Sequence, residues 1–367
     1  MKITEIKLTP VYSRRETGTC SPHVIVQLLT DEELVGLGEM SDLGHSAVKF
    51  DLKDLHDSLG HVLIGQDPLQ YGPLTQRVRA RFPHGGPLLE GVEIAIFDLV
   101  GKAKGQSIAD VLGGSYHNRI RVCYPIFRMF DMNEVGANLV RVERRMNEGQ
   151  DMFRLYCGGN VEADEAFLRN VRDKYGDRFV LKSLDFSARL PWKKTMEVLE
   201  RLLPYEPILV ESVCDRRDPA GQYEVRKRIP VPISEHISSP EMALEFAKNR
   251  YVDIFNISLA GAGGFVTALR IATIAQAAGI SCLVGTTQEL SIGVAAQAMF
   301  ASVLENLDYP SDMTGGLLYR DDVVQERVRY ENDYLLVPQG PGVGMMLDEE
   351  KLAALERPLT SLPVAAW

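Results

Sequence analysis

Polar and apolar residues alternate along 3–12 and 23–30, and again along 34–39 after the acidic turn Asp31-Glu32-Glu33. A period of two marks a strand with one face buried, so the chain opens with a predicted antiparallel meander. The period then lengthens to that of helices at about 45–61, 67–81 and 87–104. In the last of these Val92, Ala95, Ile96, Leu99 and Val100 fall on one stripe, and Gly105 ends it. From about Arg119 the rhythm changes again. Short apolar runs at 121–127, 152–157, 179–185, 208–212, 231–236, 253–259 and 281–286 alternate with amphipathic stretches at about 133–148, 162–175, 191–203, 218–229, 239–249, 263–278 and 290–304. Alternating strands and helices predict a parallel sheet. Seven such units over about 190 residues suit a barrel better than an open doubly wound sheet. A short strand at 334–337 is expected to return to the first domain. The predicted organisation is an α+β capping domain (1–118), a (β/α) barrel (119–320) and a C-terminal segment (321–367) that completes the cap.

Composition adds little to this picture but excludes several classes. The 367 residues are 45% hydrophobic and 25% charged, as in an ordinary globular protein. The net charge of −10 argues against nucleic acid or an anionic membrane as partner. It leaves an anionic substrate open, because a bound cation inverts the local field. Five scattered cysteines without a Cys-x-x-Cys pair suggest neither a zinc site nor a disulfide framework. The N-terminus lacks the apolar core of a signal peptide. No apolar run reaches the ~18 residues of a membrane span. A reducing cytoplasm is the expected location.

Barrel chemistry sits at the C-terminal ends of the strands. Three successive strand candidates end in or near Asp185, Glu211 and Glu235, spaced 26 and 24 residues apart. Carboxylates grouped on one rim are costly unless a cation lies among them. Hard oxygen ligands suit Mg²⁺. The alternative is three solvated turn residues.

The order of motifs resembles the enolase superfamily, specifically its mandelate-racemase-like and muconate-lactonizing members. LVGLGE (34–39) is similar to that family's strand ending in Gly-x-Gly-Glu, and EGVEIAIFDLVGKAKGQSIADVLGG to its Ala-x-x-Asp-x-x-Gly-Lys helix. Gly263-Gly264 and GTTQELSIGVAAQA (285–298) resemble two further segments. The resemblance implies a modified TIM barrel of the (β/α)7β type with a cap, one Mg²⁺ held by Asp185, Glu211 and Glu235, and often a homo-oligomer. It also implies removal of the proton α to a carboxylate, with the metal stabilising the enediolate.

The residues that usually move the proton are missing. Where the family has Lys-x-Lys on the second strand, this chain has Arg154-Leu155-Tyr156. The sixth strand offers Asn256 and Ser258, the seventh Thr286 and Thr287. Residues two apart on a strand share a face, so Arg154 and Tyr156 stand together as the catalytic candidates. A guanidinium beside a phenol stabilises tyrosinate, which would let Tyr156 act as base with Arg154 as its tuner or as a carboxylate clamp. Alternatively, Tyr156 only fills the barrel mouth and Arg154 pairs with Glu211 or Asp185. Two family patterns also depart here, as Asp185-Phe186-Ser187 and Glu211-Ser212-Val213.

Glu289 matches a family glutamate near the substrate carboxylate, although helix N-termini favour Glu in any case. His236 should point away from Glu235 by alternation. Lys182 falls out of phase with Leu181, Ser183 and Asp185 and reads as structural. His23, His45, Ser258, Thr287 and His236 are the candidate substrate contacts. The expected activity is a Mg²⁺-dependent lyase or isomerase acting on a small carboxylate, a sugar acid or hydroxy acid, most readily by dehydration. The alternatives are a non-catalytic carboxylate binder that has lost the lysines, and a racemase, epimerase or cycloisomerase.

Overall fold

The computed structural model describes residues 1–41, 43 and 51–359. The alternating start forms β1 (Ile3–Arg14), β2 (Cys20–Thr30) and β3 (Val35–Met40), an antiparallel sheet in that order. The helix Gly86–Lys104 lies directly on β3. Gly38 permits this approach: a Cβ there would sit 1.9 Å from the Gly91 carbonyl oxygen. Leu52–Leu63 and Tyr71–Arg81 pack on the same apolar cluster.

After the short β4 (Arg119–Arg121), seven parallel strands follow. They are β5 (Tyr124–Ile126), β6 (Met152–Tyr156), β7 (Val180–Asp185), β8 (Leu209–Glu211), β9 (Ile233–His236), β10 (Ile254–Ile257) and β11 (Ser281–Val284), paired in sequence order. Residues 311–312 close the ring. Ser311 bridges Val122 in parallel, and the Asp312 amide donates to the Val284 carbonyl at 2.9 Å. The fold is therefore the capped modified TIM barrel expected from the sequence.

The expected strand 121–127 divides in two. β4 pairs with β13 (Tyr334–Leu336), which in turn pairs with β12 (Tyr330–Glu331), whereas β5 joins the barrel. The strand expected to return to the cap thus sits at the start of the barrel. Contacts with the cap lie on either side of it: Tyr319 bridges Arg15, and further on Glu356 bridges Val11 and the Arg357 amide donates to the Pro10 carbonyl.

Register decides which residues face the barrel axis, because partners in a parallel ladder share a face. Tyr156 pairs with Asp185, Asp185 with Glu211, and Glu211 with Ser234. Two residues on, His236 pairs with Asn256 and Asn256 with Leu283. Leu283 forms with Leu209 and Ile254 a small apolar cluster separate from the main core. The alternate residues Val210, Ile233, Phe255 and Val284 pack outward in the main core. One irregularity matters. Phe153 pairs with Leu181 but Arg154 with Ser183, so Lys182 occupies a bulge in β7.

Candidate active site

A cavity of about 970 Å³ opens over the C-terminal ends of the barrel strands. The cap contributes Thr17, Thr19, Ser41 and His84; the barrel contributes Tyr156, His236, Ser258, Thr286 and Thr287. Among the described residues four arginines line it, Arg128, Arg141, Arg189 and Arg216, against one carboxylate, Glu134. The wall is thus cationic although the chain as a whole is acidic. Backbone strain concentrates at this mouth. Ser187 (φ 49°), Ala188 (φ 56°), Ser212 (φ 48°) and Gln288 (φ 67°) follow the ends of β7, β8 and β11 in the left-handed region, which side chains other than glycine rarely adopt.

Beneath the cavity lies a buried charge cluster. Arg154 Nη1 stands 3.8 Å from Asp185 Oδ2, 3.8 Å from Glu211 Oε1 and 3.3 Å from Asp312 Oδ2. Lys182 Nζ lies 2.7 Å from Asp312 Oδ1 and 3.7 Å from Glu211 Oε2. Glu211 Oε1 also accepts from Asn256 Nδ2 at 3.1 Å and lies 3.2 Å from His236 Nε2. Burial pushes the Glu211 carboxyl up, but Lys182, His236 and Arg154 outweigh it and hold it well below the usual range. Asp185 moves the other way: burial, with Glu211 beside it, raises it despite Arg154. Lys182 stays protonated because its carboxylate neighbours outweigh its burial.

The geometry separates Glu235 from Asp185 and Glu211. Since Glu211 is in register with Ser234, it is Ser234 and His236 that face inward on β9, and Glu235 turns outward. Its carboxylate accepts from Ser212 Oγ (3.0 Å), Arg216 Nε (3.0 Å), Gln222 Nε2 (3.1 Å) and the His236 amide (2.7 Å). The expected rim of three carboxylates is therefore not assembled. Among the described residues no three His, Cys, Asp or Glu side chains stand where one ion could join them. A magnesium ion does not fit the residues present: the third position carries a hydroxyl, and a guanidinium already lies between the two remaining carboxylates.

Tyr156 lines the cavity, with the Arg154 guanidinium 4.6 Å from its ring centre and Phe127 stacked at 6.1 Å. Burial pushes the phenol well above its usual value, and the lowering effect of Arg154 does not offset this. The phenol keeps its proton, which disfavours Tyr156 as a base and suits it as a donor. Arg154 is buried under Tyr156 rather than exposed to the cavity, so a carboxylate clamp is not its place. His236 reaches the cavity.

The remaining candidates divide. Ser258 lines the cavity and its hydroxyl also caps the turn Leu259–Ala262 by accepting from the Gly261 amide at 3.1 Å. Thr287 lines it as well, its hydroxyl 2.8 Å from Glu289 Oε1. Glu289 is wholly buried and holds Thr286, Thr287 and Gln297 rather than facing the cavity. His23 is buried too, with Nδ1 2.9 Å from Glu39 Oε1. Glu39 in turn accepts from the Leu290 and Gly293 amides at the start of the helix Ser291–Ser302, so this pair ties the cap to the barrel instead of touching a substrate. His45 lies outside the described residues. Sequence reasoning read Lys182 as structural without its buried partner, and missed Asp312 and the four arginines. The bulge at Lys182 leaves no trace in alternation, and Asp312 lies in a closing segment too short to show a period.

Comparison with known proteins agrees with the fold. Residues 139–351 match the model of the enolase C-terminal domain-like family, and residues 2–113 that of the mandelate racemase / muconate lactonizing enzyme N-terminal domain. Muconate cycloisomerase 1 of Pseudomonas putida is 26% identical over 91% of this chain and 90% of its own length. An N-succinyl-L-Arg/Lys racemase of Bacillus cereus is 25% identical over the same shares. Muconate lactonizing enzyme from Pseudomonas putida superposes with a TM-score of 0.88 at 25% identity, covering 97% of this chain and 100% of that one. The chain belongs to the enolase superfamily, as an enzyme of its mandelate racemase / muconate lactonizing enzyme family.

Proposed function

We propose that this enzyme moves a proton at the carbon next to the carboxylate of a small acid, a sugar acid or hydroxy acid, and most readily eliminates water from it. The placing of His236 carries the reading. Its Nε2 lies 3.2 Å from the Glu211 carboxylate, and its ring lines the arginine-walled cavity. A carboxylate that accepts the Nε2 proton leaves Nδ1 as the nitrogen able to take another. The arginine wall would hold the substrate carboxylate through charge-assisted hydrogen bonds. Tyr156, still protonated, would donate to the departing hydroxyl or to a developing oxyanion. His236 here takes the base role that the second-strand tyrosine was expected to have. One base favours elimination over racemisation, which needs a proton carrier on each face.

A second reading, cycloisomerisation, is favoured by the names of the relatives, several of which are muconate or chloromuconate cycloisomerases. It would use the same two groups on an unsaturated diacid. The reading extends to a cytoplasmic homo-oligomer. All five cysteines are free thiols, and no helix among the described residues is long and apolar enough to cross a membrane.

The test is a panel of sugar acids, hydroxy acids and unsaturated diacids in D₂O, followed by NMR for exchange at the α-carbon and for product. His236→Asn should slow exchange by about 10²–10⁴-fold. Tyr156→Phe should keep exchange while losing elimination. Exchange at the wild-type rate in His236→Asn would sink the assignment.

A further inference from the structure

We infer that the guanidinium of Arg154, with the ammonium of Lys182 behind it, occupies the place of a divalent metal, so that this barrel holds its carboxylates together without one. Buried carboxylates must be neutralised by something. Asp185, Glu211 and Asp312 are all buried, and so are the two cations that contact them. Arg154 Nη1 is equidistant, at 3.8 Å, from one oxygen of Asp185 and one of Glu211, the two groups that an ion would have to join. The third corner is Ser234, in register with Glu211. The nearest alternative, Glu235, is held by four donors on the outer side of the strand. Asp185 Oδ1 accepts from the Ser187 amide at 2.7 Å, and Glu211 Oε1, the oxygen that faces Arg154, accepts from Asn256 as well. Three negative and two positive side chains leave the cluster one charge short of balance, with His236 beside it. A dication added to the cluster as it stands would overshoot that balance, and to reach both carboxylates it would have to displace Arg154, whose side chain is buried.

Metal binding can be read without any substrate, so the outcome is independent of the reaction proposed above. Protein stripped with a chelator is titrated with Mn²⁺ while the EPR signal of the free ion is followed. The signal should grow from the first addition, with no site tighter than about 1 mM. The unfolding midpoint should agree within about 1 °C in chelator and in millimolar Mg²⁺. Uptake of one Mn²⁺ per chain at micromolar concentration would overturn the inference. The double variant Arg154→Met/Ser234→Asp removes the resident cation and supplies the third carboxylate. It should take up one Mn²⁺, at least about tenfold tighter than the wild type, and its unfolding midpoint should rise with the metal. A folded double variant indifferent to Mn²⁺ would show that Arg154 does not exclude the ion, and the inference would fall. Should the double variant not fold, the wild-type titration decides alone.

Discussion

Lys182 and Asp312 form a wholly buried ion pair, Nζ to Oδ1 at 2.7 Å, between the third barrel strand and the segment that closes the ring. Removing one partner strands a charge in a medium that cannot solvate it. Lys182→Met should therefore cost about 3–5 kcal/mol. The double variant Lys182→Met/Asp312→Leu removes one charge of each sign and leaves the local sum unchanged, with Arg154 still between Asp185 and Glu211. It should regain most of the loss. Urea unfolding of the two variants checks this; a single variant within about 1 kcal/mol of wild type would mean the pair is not what holds the ring closed.

Gly264 meets Glu93 across the interface of cap and barrel. Its φ is +113°, and a Cβ there would lie 2.5 Å from the Glu93 carboxyl carbon. That carboxylate accepts from the Val266 amide at 2.7 Å, so it cannot withdraw without losing the bond. Gly264→Ala should destabilise by roughly 2–4 kcal/mol from strain and overlap together. Thermal unfolding would show it, and a drop below about 1 kcal/mol would indicate that the cap can shift away.

Much of this was legible in the chain. Period-two runs placed the meander, and short apolar runs the barrel strands, within a few residues, because burial of one face or two leaves a direct mark on hydrophobicity. Asp185 and Glu211 could be placed on the rim because each closes its strand. Alternation also showed that Glu235 and His236 face opposite ways. It could not show which of them faces inward, since that phase is set by pairing with Glu211 and Asn256, residues 24 and 20 positions away. The family pattern favoured Glu235, and register chose Ser234 and His236. His23 failed for a related reason: its partner Glu39 lies on the neighbouring strand, and the buried pair looks in sequence like two unrelated polar residues.

Arg141 is positioned to read the charge of a ligand. It lines the cavity from the helix Glu134–Asn147, and its Nη1 donates to Asn138 Oδ1 at 2.6 Å, which fixes its direction. A charge-assisted contact of this kind contributes about 1.5–3 kcal/mol. Arg141→Ala should thus weaken binding of a carboxylate by roughly ten- to a hundredfold. The loss should shrink at high salt, because the cavity is open to screening. Calorimetry with a carboxylate identified in the D₂O screen, at low and high ionic strength, tests both statements. Equal affinity in the variant would place the ligand elsewhere in the cavity.

Glu93 makes stability depend on pH in a definite direction. Burial pushes its carboxyl up to about 7, a shift that the Val266 amide, Arg79, the Phe265 amide and Arg270 only partly oppose. A group whose pKa is higher in the folded state is held better protonated. Its contribution is complete below the unfolded value, near 4.5, and is lost as pH rises through about 7. The shift corresponds to about 3 kcal/mol between those limits. Glu93→Gln keeps an oxygen for the Val266 amide but cannot ionise. The variant should therefore gain on the wild type between pH 5 and pH 8, by about 2–3 kcal/mol in urea midpoints converted to free energy. Other buried acids, such as Asp164, are common to both proteins and cancel in the difference. Parallel stability profiles for the two would show that Glu93 is ionised at no cost, and that Arg79 and Arg270 neutralise it where it stands.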